Sequence, residues 1–305
     1  MHTTSHLLMV RPAAFGFNPE TAETNVFQKQ PADFSEEIHQ KALAEFDYMV
    51  EILKKEDLNI IVVEDTPEPY KPDAVFPNNW LSTHAEGTVV LYPLQAPNRR
   101  AERRQDIIDT LKTKFKIHNI LNISHYENRN RFLEGTGSMV LEHDHKVAFA
   151  SLSSRTHSEV LDRFCSLMGY QNICFQAVDE FGQAIYHTNV MMTMGDKFVI
   201  TCIDAVPDEI DQEDLLTAFR KMQKEVIKIS YEQMKNFLGN AIEVSNNKGE
   251  KLLILSQRAY DSLEETQKKR LESYVRLVPC PLKTIETYGG GSARCMIAEI
   301  FLPTL

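Results

Sequence analysis

The stretch Phe132-Leu133-Glu134-Gly135-Thr136-Gly137-Ser138-Met139-Val140-Leu141 runs into a polar turn, Glu142-His143-Asp144-His145. A second apolar run follows, Lys146-Val147-Ala148-Phe149-Ala150. Two short apolar runs around a polar turn read as paired strands. From about Arg155 to Met168, the residues Val160, Leu161, Phe164 and Leu167 recur at helical spacing, which predicts an amphipathic helix. The unit is a Gly-rich lead-in, a strand, a turn, a second strand and a helix.

The same order recurs along the chain. Tyr186-His187-Thr188-Asn189-Val190-Met191-Met192-Thr193-Met194 turns at Gly195-Asp196 and returns as Phe198–Thr201, with a helix expected over about 208–220. Ala241–Val244 turns at Asn246-Asn247-Lys248-Gly249 and returns as Lys251–Ser256, with a helix near 262–274. Upstream, Pro72–Leu81 turns at Ala85-Glu86-Gly87, returns as Thr88–Tyr92 and leads to a helix near 100–114. The last segment, Gly289–Ile300, has only the first strand. The missing parts lie at the other end, as a strand over His6–Arg11 and a long helix over about Phe34–Leu53.

With Asp73, Glu134, His187, Glu243 and Gly290 as matching points, the spacings are 61, 53, 56 and 47 residues. This is a quasi-regular repeat. Four whole copies and one split between the ends of the chain make five ββαβ-like units. A closed ring of five is more economical than an open sheet, and it would bring the strand starts together near one axis. The alternative is an ordinary α/β domain of alternating strands and helices.

Composition bounds the function. The 305 residues carry 33 Lys and Arg against 43 Asp and Glu, a formal charge of -10. Phosphate binding wants a basic stripe, so a nucleic-acid partner is not expected. The densest basic run, Arg99-Arg100 with Arg103-Arg104, is interleaved with Glu102 and Asp106 and reads as a helix face. No apolar run approaches a membrane span, and the first residues lack the pattern of a signal peptide. The five cysteines are scattered without a CxxC pair, which argues against a disulfide framework or a cysteine zinc site. A cytoplasmic protein without metal or cofactor is the expectation. Amphipathic helices near 34–53 and 208–237 could support self-association as a homodimer.

Several residues could carry chemistry. Cys295 follows the triplet Gly289-Gly290-Gly291, whose backbone freedom permits close approach of a ligand or another chain segment. It is compatible with a nucleophile or with a core cysteine in a strand beginning at Ala293. His187 opens the third copy, where imidazole could move a proton near neutral pH; a capping histidine is the alternative. Glu134 is a carboxylate in an apolar run and needs a partner if buried; otherwise it is a surface residue. In a ring of five, Glu134, His187 and Cys295 would converge. Asp73, Asn78 and Asn79 lead into the first copy and offer donors and acceptors to a small polar group, or form a turn. His143 and His145 read as a solvated turn. No dinucleotide fingerprint, phosphate loop, G-x-S-x-G elbow or HExxH motif occurs.

At PDAVFPNNW (72–80), FLEGTGSMVL (132–141), YHTNVMMTMGD (186–196) and GGGSARCMIAEI (289–300), the chain resembles the guanidine-modifying superfamily of the pentein fold. That group holds arginine deiminases, dimethylarginine hydrolases, succinylarginine dihydrolases and amidinotransferases. The likeness extends over nearly the whole chain and is nearest to the citrulline-utilisation hydrolases. It implies a five-bladed α/β propeller of pseudo-fivefold ββαβ-like repeats, a single catalytic domain over 1–305 with the fifth repeat split between the termini, and a small amino-acid substrate.

By resemblance, Cys295 matches the nucleophile, His187 the general acid and base, and Glu134 the carboxylate of the leucine–acid–glycine–glycine segment. Asn79 and Asn189 stand where the family often has aspartates that grip a guanidinium. Two amides in place of two carboxylates suit a neutral ureido group, which favours citrulline hydrolysed to ornithine, ammonia and carbon dioxide. The alternatives are an arginine or arginine-derivative deiminase or dihydrolase, an amidinotransferase and a non-catalytic metabolite-binding protein. Asp73 and Asn78 are counted with the substrate-binding residues. For a substrate carboxylate, Arg11, Arg129, Arg131 and Arg294 are candidates; Arg294, beside Cys295, is carried forward.

Overall fold

The computed structural model describes residues 3–22, 24, 25, 27–30 and 36–305. Its strands are β1 (His6–Arg11), β2 (Asn59–Glu64), β3 (Leu81–His84), β4 (Thr88–Leu91), β5 (Asn119–Asn122), β6 (Val140–Glu142), β7 (Val147–Ser151) and β8 (Gln171–Phe175), followed by β9 (Met192–Met194), β10 (Phe198–Thr201), β11 (Glu225–Lys228), β12 (Ile242–Ser245), β13 (Lys251–Ser256), β14 (Arg276–Cys280) and β15 (Ala298–Glu299). They form five separate three-stranded sheets, ordered β3-β4-β5, β6-β7-β8, β9-β10-β11, β12-β13-β14 and β15-β1-β2. In every sheet the first strand is antiparallel to the second, and the second is parallel to the third.

Local sequence explains this pattern. A short turn closes the antiparallel pair in four of the sheets, with Gly87 at φ 85°, Lys146 at φ 55° or Gly249 at φ 81° at three of them; in the fifth, β15 and β1 come from opposite ends of the chain. The parallel third strand requires a crossover. Helices Gln105–Lys112, Ser158–Met168 and Glu209–Lys221 supply it in three sheets. Helix Glu36–Lys55 does so between β1 and β2, burying Ala42, Phe46, Met49, Val50 and Leu53.

Middle strands are buried on both faces, which is why they read as continuous apolar runs. Their alternate residues enter different cores. Leu7 and Met9 of β1 join one cluster, with Val278 and Ile285; Leu8 and Val10 join another, with Val89 and Ile107. Val90 of β4 packs with Ala148 and Ala150 of β7, whereas Val147 and Phe149 of β7 pack with Leu253 and Leu255 of β13. Leu252 and Ile254 of β13 return to the cluster that holds Leu7.

The segments before the first strands differ from expectation. Phe132–Leu141 is not one strand: Gly135 takes φ +48°, Gly135–Ser138 forms a helical turn, and β6 begins only at Val140. The turns Pro77–Asn79 and Thr188–Val190 likewise precede β3 and β9. Cys295 lies on a turn, its N–H donating to Ser292 O at 3.0 Å, and not in a strand beginning at Ala293. In the fourth copy Glu243 is already inside β12, so the matching lead-in residue is Asn240.

Helix limits also move. The expected helix near 100–114 splits into a 3-10 turn, Pro97–Glu102, and helix Gln105–Lys112, because Arg104 between them is extended. The 262–274 helix is Gln257–Asp261 plus Glu265–Glu272. The 208–237 stretch is helix, strand β11 and the short helix Tyr231–Lys235, so it offers no single face for self-association. Phe34 lies outside the described residues.

The five lead-in turns touch in succession. An added Cβ at Gly135 would lie 2.2 Å from Asn78 O, at Gly137 2.9 Å from the His187 ring, at Gly239 2.3 Å from Val190 O, and at Gly291 2.8 Å from the Phe76 ring. Arg294 N donates to Asn240 O at 3.3 Å. Two of the three consecutive glycines therefore make room for a ring, since Gly289 also faces Phe76, while Gly290 takes φ +66° against the Asn25 side chain. Replacing Gly239 by Ala forces Cβ into a backbone carbonyl. The variant should lose ~1–3 kcal/mol in urea unfolding; an unchanged midpoint and slope would contradict this packing.

Candidate active site

The turns carry the site. Glu134 is fully buried. Its Oε1 accepts from Gln95 N at 2.9 Å and its Oε2 from His187 Nε2 at 2.8 Å. Arg155 Nη1 stands 3.5 Å and Arg99 Nη1 3.9 Å from the same Oε2. Burial alone would raise the carboxyl's pKa. Arg155, the His187 bond and Arg99 outweigh it and hold Glu134 well below the usual carboxylate range.

His187 moves the other way. Burial pushes its pKa down to about 4, against the pull of Glu134, and Arg155 and Arg99 add to the lowering. At neutral pH the pair is therefore carboxylate and neutral imidazole. A carboxylate only accepts, so the ring proton is assigned to Nε2 and the lone pair to Nδ1. Nδ1 faces Gly137, where an added Cβ would lie 2.9 Å from it and 2.5 Å from Asn79 Nδ2. Glycine there lets His187 and Asn79 close on the same stretch of backbone.

Cys295 is buried, at 6% exposure. Its Sγ lies 3.4 Å from Asn189 Nδ2 and 3.3 Å from Asn240 Nδ2. Residues on either side of His187 tie that turn to the Cys295 segment. Tyr186 Oη donates to Gly290 O at 3.0 Å, and Asn189 donates to the sulfur.

The first turn completes the cluster. Asn79 Oδ1 accepts from Arg99 Nη1 at 2.8 Å, and Asn79 Nδ2 donates to Asn78 Oδ1 at 3.1 Å. Asp73 Oδ2 accepts from Asn18 Nδ2 at 2.7 Å and lies 3.7 Å from Arg99 Nε. Burial raises the Asp73 pKa, with Arg99 and the Asn18 bond opposing. Among the described residues, three buried polar atoms of this region have no hydrogen-bond partner: Asp73 Oδ1, Asn78 Nδ2 and Asn189 Oδ1.

Cys295, Asn189, His187, Glu134, Asn79, Asn78 and Asp73 are thus linked through contacts from turn to turn. Arg294 is not brought to them. Its guanidinium bonds Glu299 at 2.8 Å and Ile297 O, and it lines a cavity of about 30 Å³ between β6, β9, β12 and β15. Arg11 bonds Asp47, and both Arg129 and Arg131 lie on Glu159. Each of the four carboxylate-binding candidates already holds a carboxylate.

Sequence reasoning missed Arg99, Arg155, Asn18 and Asn240. Arg99 is not on a solvated helix face. It is 2% exposed, bonds both oxygens of Glu102, and sits on a 3-10 turn that points it inward. Pro97, which starts that turn, was the available signal. Arg155 donates to Thr21 O and to Thr24 Oγ1; nothing in its sequence neighbourhood marks it. Asn240 was legible as the fourth lead-in, after Gly239 and before Ala241. Among the described residues no group of three or more His, Cys, Asp or Glu could hold a metal ion, and no helix is long and apolar enough to cross a membrane.

A buried cysteine among amides, a histidine on a carboxylate, and turns leading into small three-stranded sheets place the chain in the pentein guanidine-modifying superfamily of hydrolases and amidinotransferases. Within it, the family described as N,N dimethylarginine dimethylhydrolase, eukaryotic, matches residues 11–302, and the chain belongs to that family. No curated protein matches the chain. Among solved structures, the apo form of ArgZ, an arginine dihydrolase from the ornithine-ammonia cycle in Cyanobacteria, is similar with TM-score 0.76 and 16% identity. The likeness covers 98% of this chain but 41% of that one. The N-terminal domain of ArgZ bound to substrate gives TM-score 0.75 at 16% identity, covering 98% and 99% of the two chains. A dimethylarginine dimethylaminohydrolase adduct with S-methyl-L-thiocitrulline gives 0.64 at 13%, covering 97% and 99%. These three likenesses are of fold.

Two outcomes follow from the charges. Replacing Arg99 by Met leaves Glu102, Asp73 and Glu134 without their shared cation and should cost ~3–5 kcal/mol, read by urea unfolding; a loss within error would contradict the buried network. His187 has a pKa depressed from 6.5 to about 4, so the unfolded chain binds its proton first. Its contribution to stability is full above about 6.5 and is lost as pH falls towards about 4, by ~1.4 kcal/mol per unit. The His187→Gln variant should show a shallower fall across that window; the same slope in both would contradict a neutral, buried His187.

Proposed function

We propose that this chain is a cysteine-dependent hydrolase that cleaves a non-peptide C–N bond of a ureido amino acid of the citrulline class. The products are ornithine, ammonia and carbon dioxide. The observation that carries this is the kind of polar atom left open. Glu134 and Asp73 already face Arg99, and Glu134 also faces Arg155. In this region the atoms without partners among the described residues are one donor, Asn78 Nδ2, and two acceptors, Asn189 Oδ1 and Asp73 Oδ1. A ureido group has an oxygen that accepts and nitrogens that donate, so it matches such a set. A guanidinium has donors only.

The five sheets, in this proposal, are blades around one pseudo-fivefold axis, within a single catalytic domain over 1–305 whose fifth blade joins β15 to β1 and β2. Two observations support the ring. Lead-in turns touch in order from the first to the fifth and back to Phe76. The apolar clusters also close on themselves, through β1, β4, β7 and β13.

In the reaction, the Cys295 S–H proton passes to His187 Nδ1 and the sulfur adds to the ureido carbon. Nδ1–H then protonates the side-chain nitrogen, the C–N bond breaks, and ornithine leaves. The carbamoyl group stays on sulfur. Nδ1 next takes a proton from water, hydroxide adds, and the C–S bond breaks with return of that proton to the thiol. The carbamic acid released gives ammonia and carbon dioxide. Glu134 fixes the tautomer of His187 throughout and stabilises its cationic form. Asn189, Asn78 and Asp73 would orient the ureido group through their open atoms, with Asn79 holding Asn78 in place from behind.

A second reading, hydrolysis of arginine or an arginine derivative, is favoured by the description of the matching family. Purified protein and its Cys295→Ala variant, offered citrulline, arginine and methylated arginines separately, distinguish the two. Cys295-dependent ornithine from citrulline is the expected result. Citrulline formed from arginine or a methylated arginine, with no turnover of citrulline itself, would replace the first reading by the second.

A further inference from the structure

Cys295 meets two side-chain amides, and only Asn189 belongs to the arm that carries His187. The other, Asn240, comes from the lead-in turn of the fourth copy, which has no other part in the chemistry. We infer that Asn240 is a catalytic residue of this site, one that holds the Cys295 sulfur in both its protonated and its ionised forms. The inference rests on Cys295 being the nucleophile, as proposed above.

The geometry is specific to the sulfur. Asn240 is 1% exposed. Its Nδ2 lies 3.3 Å from Cys295 Sγ and donates to Asn189 O at 2.9 Å. Its Oδ1 lies 3.5 Å from the same sulfur, within reach of an S–H donor. One amide can therefore accept from the thiol and donate to the thiolate, so that after the S–H turns to His187 and its proton is lost, Asn240 still holds Sγ without moving. Asn189 Nδ2 supplies a second donor at 3.4 Å.

The fold holds Asn240 in place from both sides. Gly239 presses its backbone onto Val190 O, so the turn sits hard against the His187–Val190 turn. Asn240 N donates to Phe237 O at 2.9 Å, with Phe237 at φ 62°, and Asn240 O accepts from Arg294 N, one residue before Cys295. Tyr186 also carries a titratable group near Cys295, and its hydroxyl is engaged by Gly290 O.

The requirement comes from the substrate. A guanidinium carries a positive charge that can pair with a sulfur anion, whereas a ureido group carries none. Hydrogen bonds from the protein must then hold the anion, and among the described residues Asn240 and Asn189 are the side chains that donate to it. The negative charge moves from sulfur to the ureido oxygen as the C–S bond forms.

The test needs no substrate, so it stands apart from the choice between citrulline and arginine. Wild-type protein, Asn240→Asp and Asn240→Ala are treated with iodoacetamide at pH 7. Peptide mass spectrometry follows Cys295, with fully buried Cys280 as the monitor of unfolding. Loss of a hydrogen bond to a charged sulfur should slow Cys295 alkylation by ~10-fold or more in the Ala variant. The Asp variant, nearly isosteric and negative, should be slower still and should move the pH–rate profile to higher pH. In turnover the same variants should lose kcat with little change in KM. The Ala variant gives the neutral route should a buried carboxylate unfold the chain. A wild-type alkylation rate in either folded variant overturns the assignment.

Discussion

A carboxylate with no access to water must be met by protein on every side, and Glu134 is met from four parts of the chain. Gln95 N and His187 Nε2 take its two oxygens, while Arg155 and Arg99 stand beside Oε2. Each partner is itself held. Arg155 reaches Thr21 and Thr24 of the N-terminal segment, and Arg99 reaches Asn79 and Glu102. Glu134 thereby fixes the histidine, orders the first turn through Arg99 and draws the N-terminal segment down through Arg155. Its charge also sets which nitrogen of the neutral His187 ring carries the proton, since an anion that only accepts leaves one place for it.

The two halves of the chemistry are built differently. Around His187 and Glu134 the interactions are ionic, with two arginines and a buried carboxylate. Around Cys295 they are neutral, with the amides of Asn189 and Asn240 on the sulfur. Proposed in these terms, the site keeps its charges on the acid–base arm and meets the substrate with amides. That division suits a substrate whose reacting group carries no net charge, and it places the work of holding the sulfur anion on the protein.

Much of the fold was legible in the sequence because its middle strands are buried on both faces and read as apolar runs at a regular spacing. The split fifth sheet could be read for the same reason: residues 289–300 lacked a second strand and His6–Arg11 lacked a first. Cys295, His187 and Glu134 stood out as polar residues at matching places of the repeat. What could not be read was turn geometry. Glu134 and Asn79 lie on single helical turns, too short to leave a periodic signal, so strand was the natural expectation there. Arg99 was hidden by composition. In a run of four arginines, only tertiary structure decides that one goes inward while Arg104 pairs with Asp106 at the surface. Arg155 was hidden by distance, because its partners at Thr21 and Thr24 lie 134 and 131 residues away.

The proposed reaction passes through a covalent bond between Cys295 and the substrate's ureido carbon. Rapid mixing of the protein with citrulline, acid quenching during turnover and mass spectrometry of the peptide that contains Cys295 examine that bond directly. The expected result is a carbamoyl group on Cys295 that rises and decays as ornithine forms. Ornithine formed while Cys295 remains unmodified at every time point would contradict it.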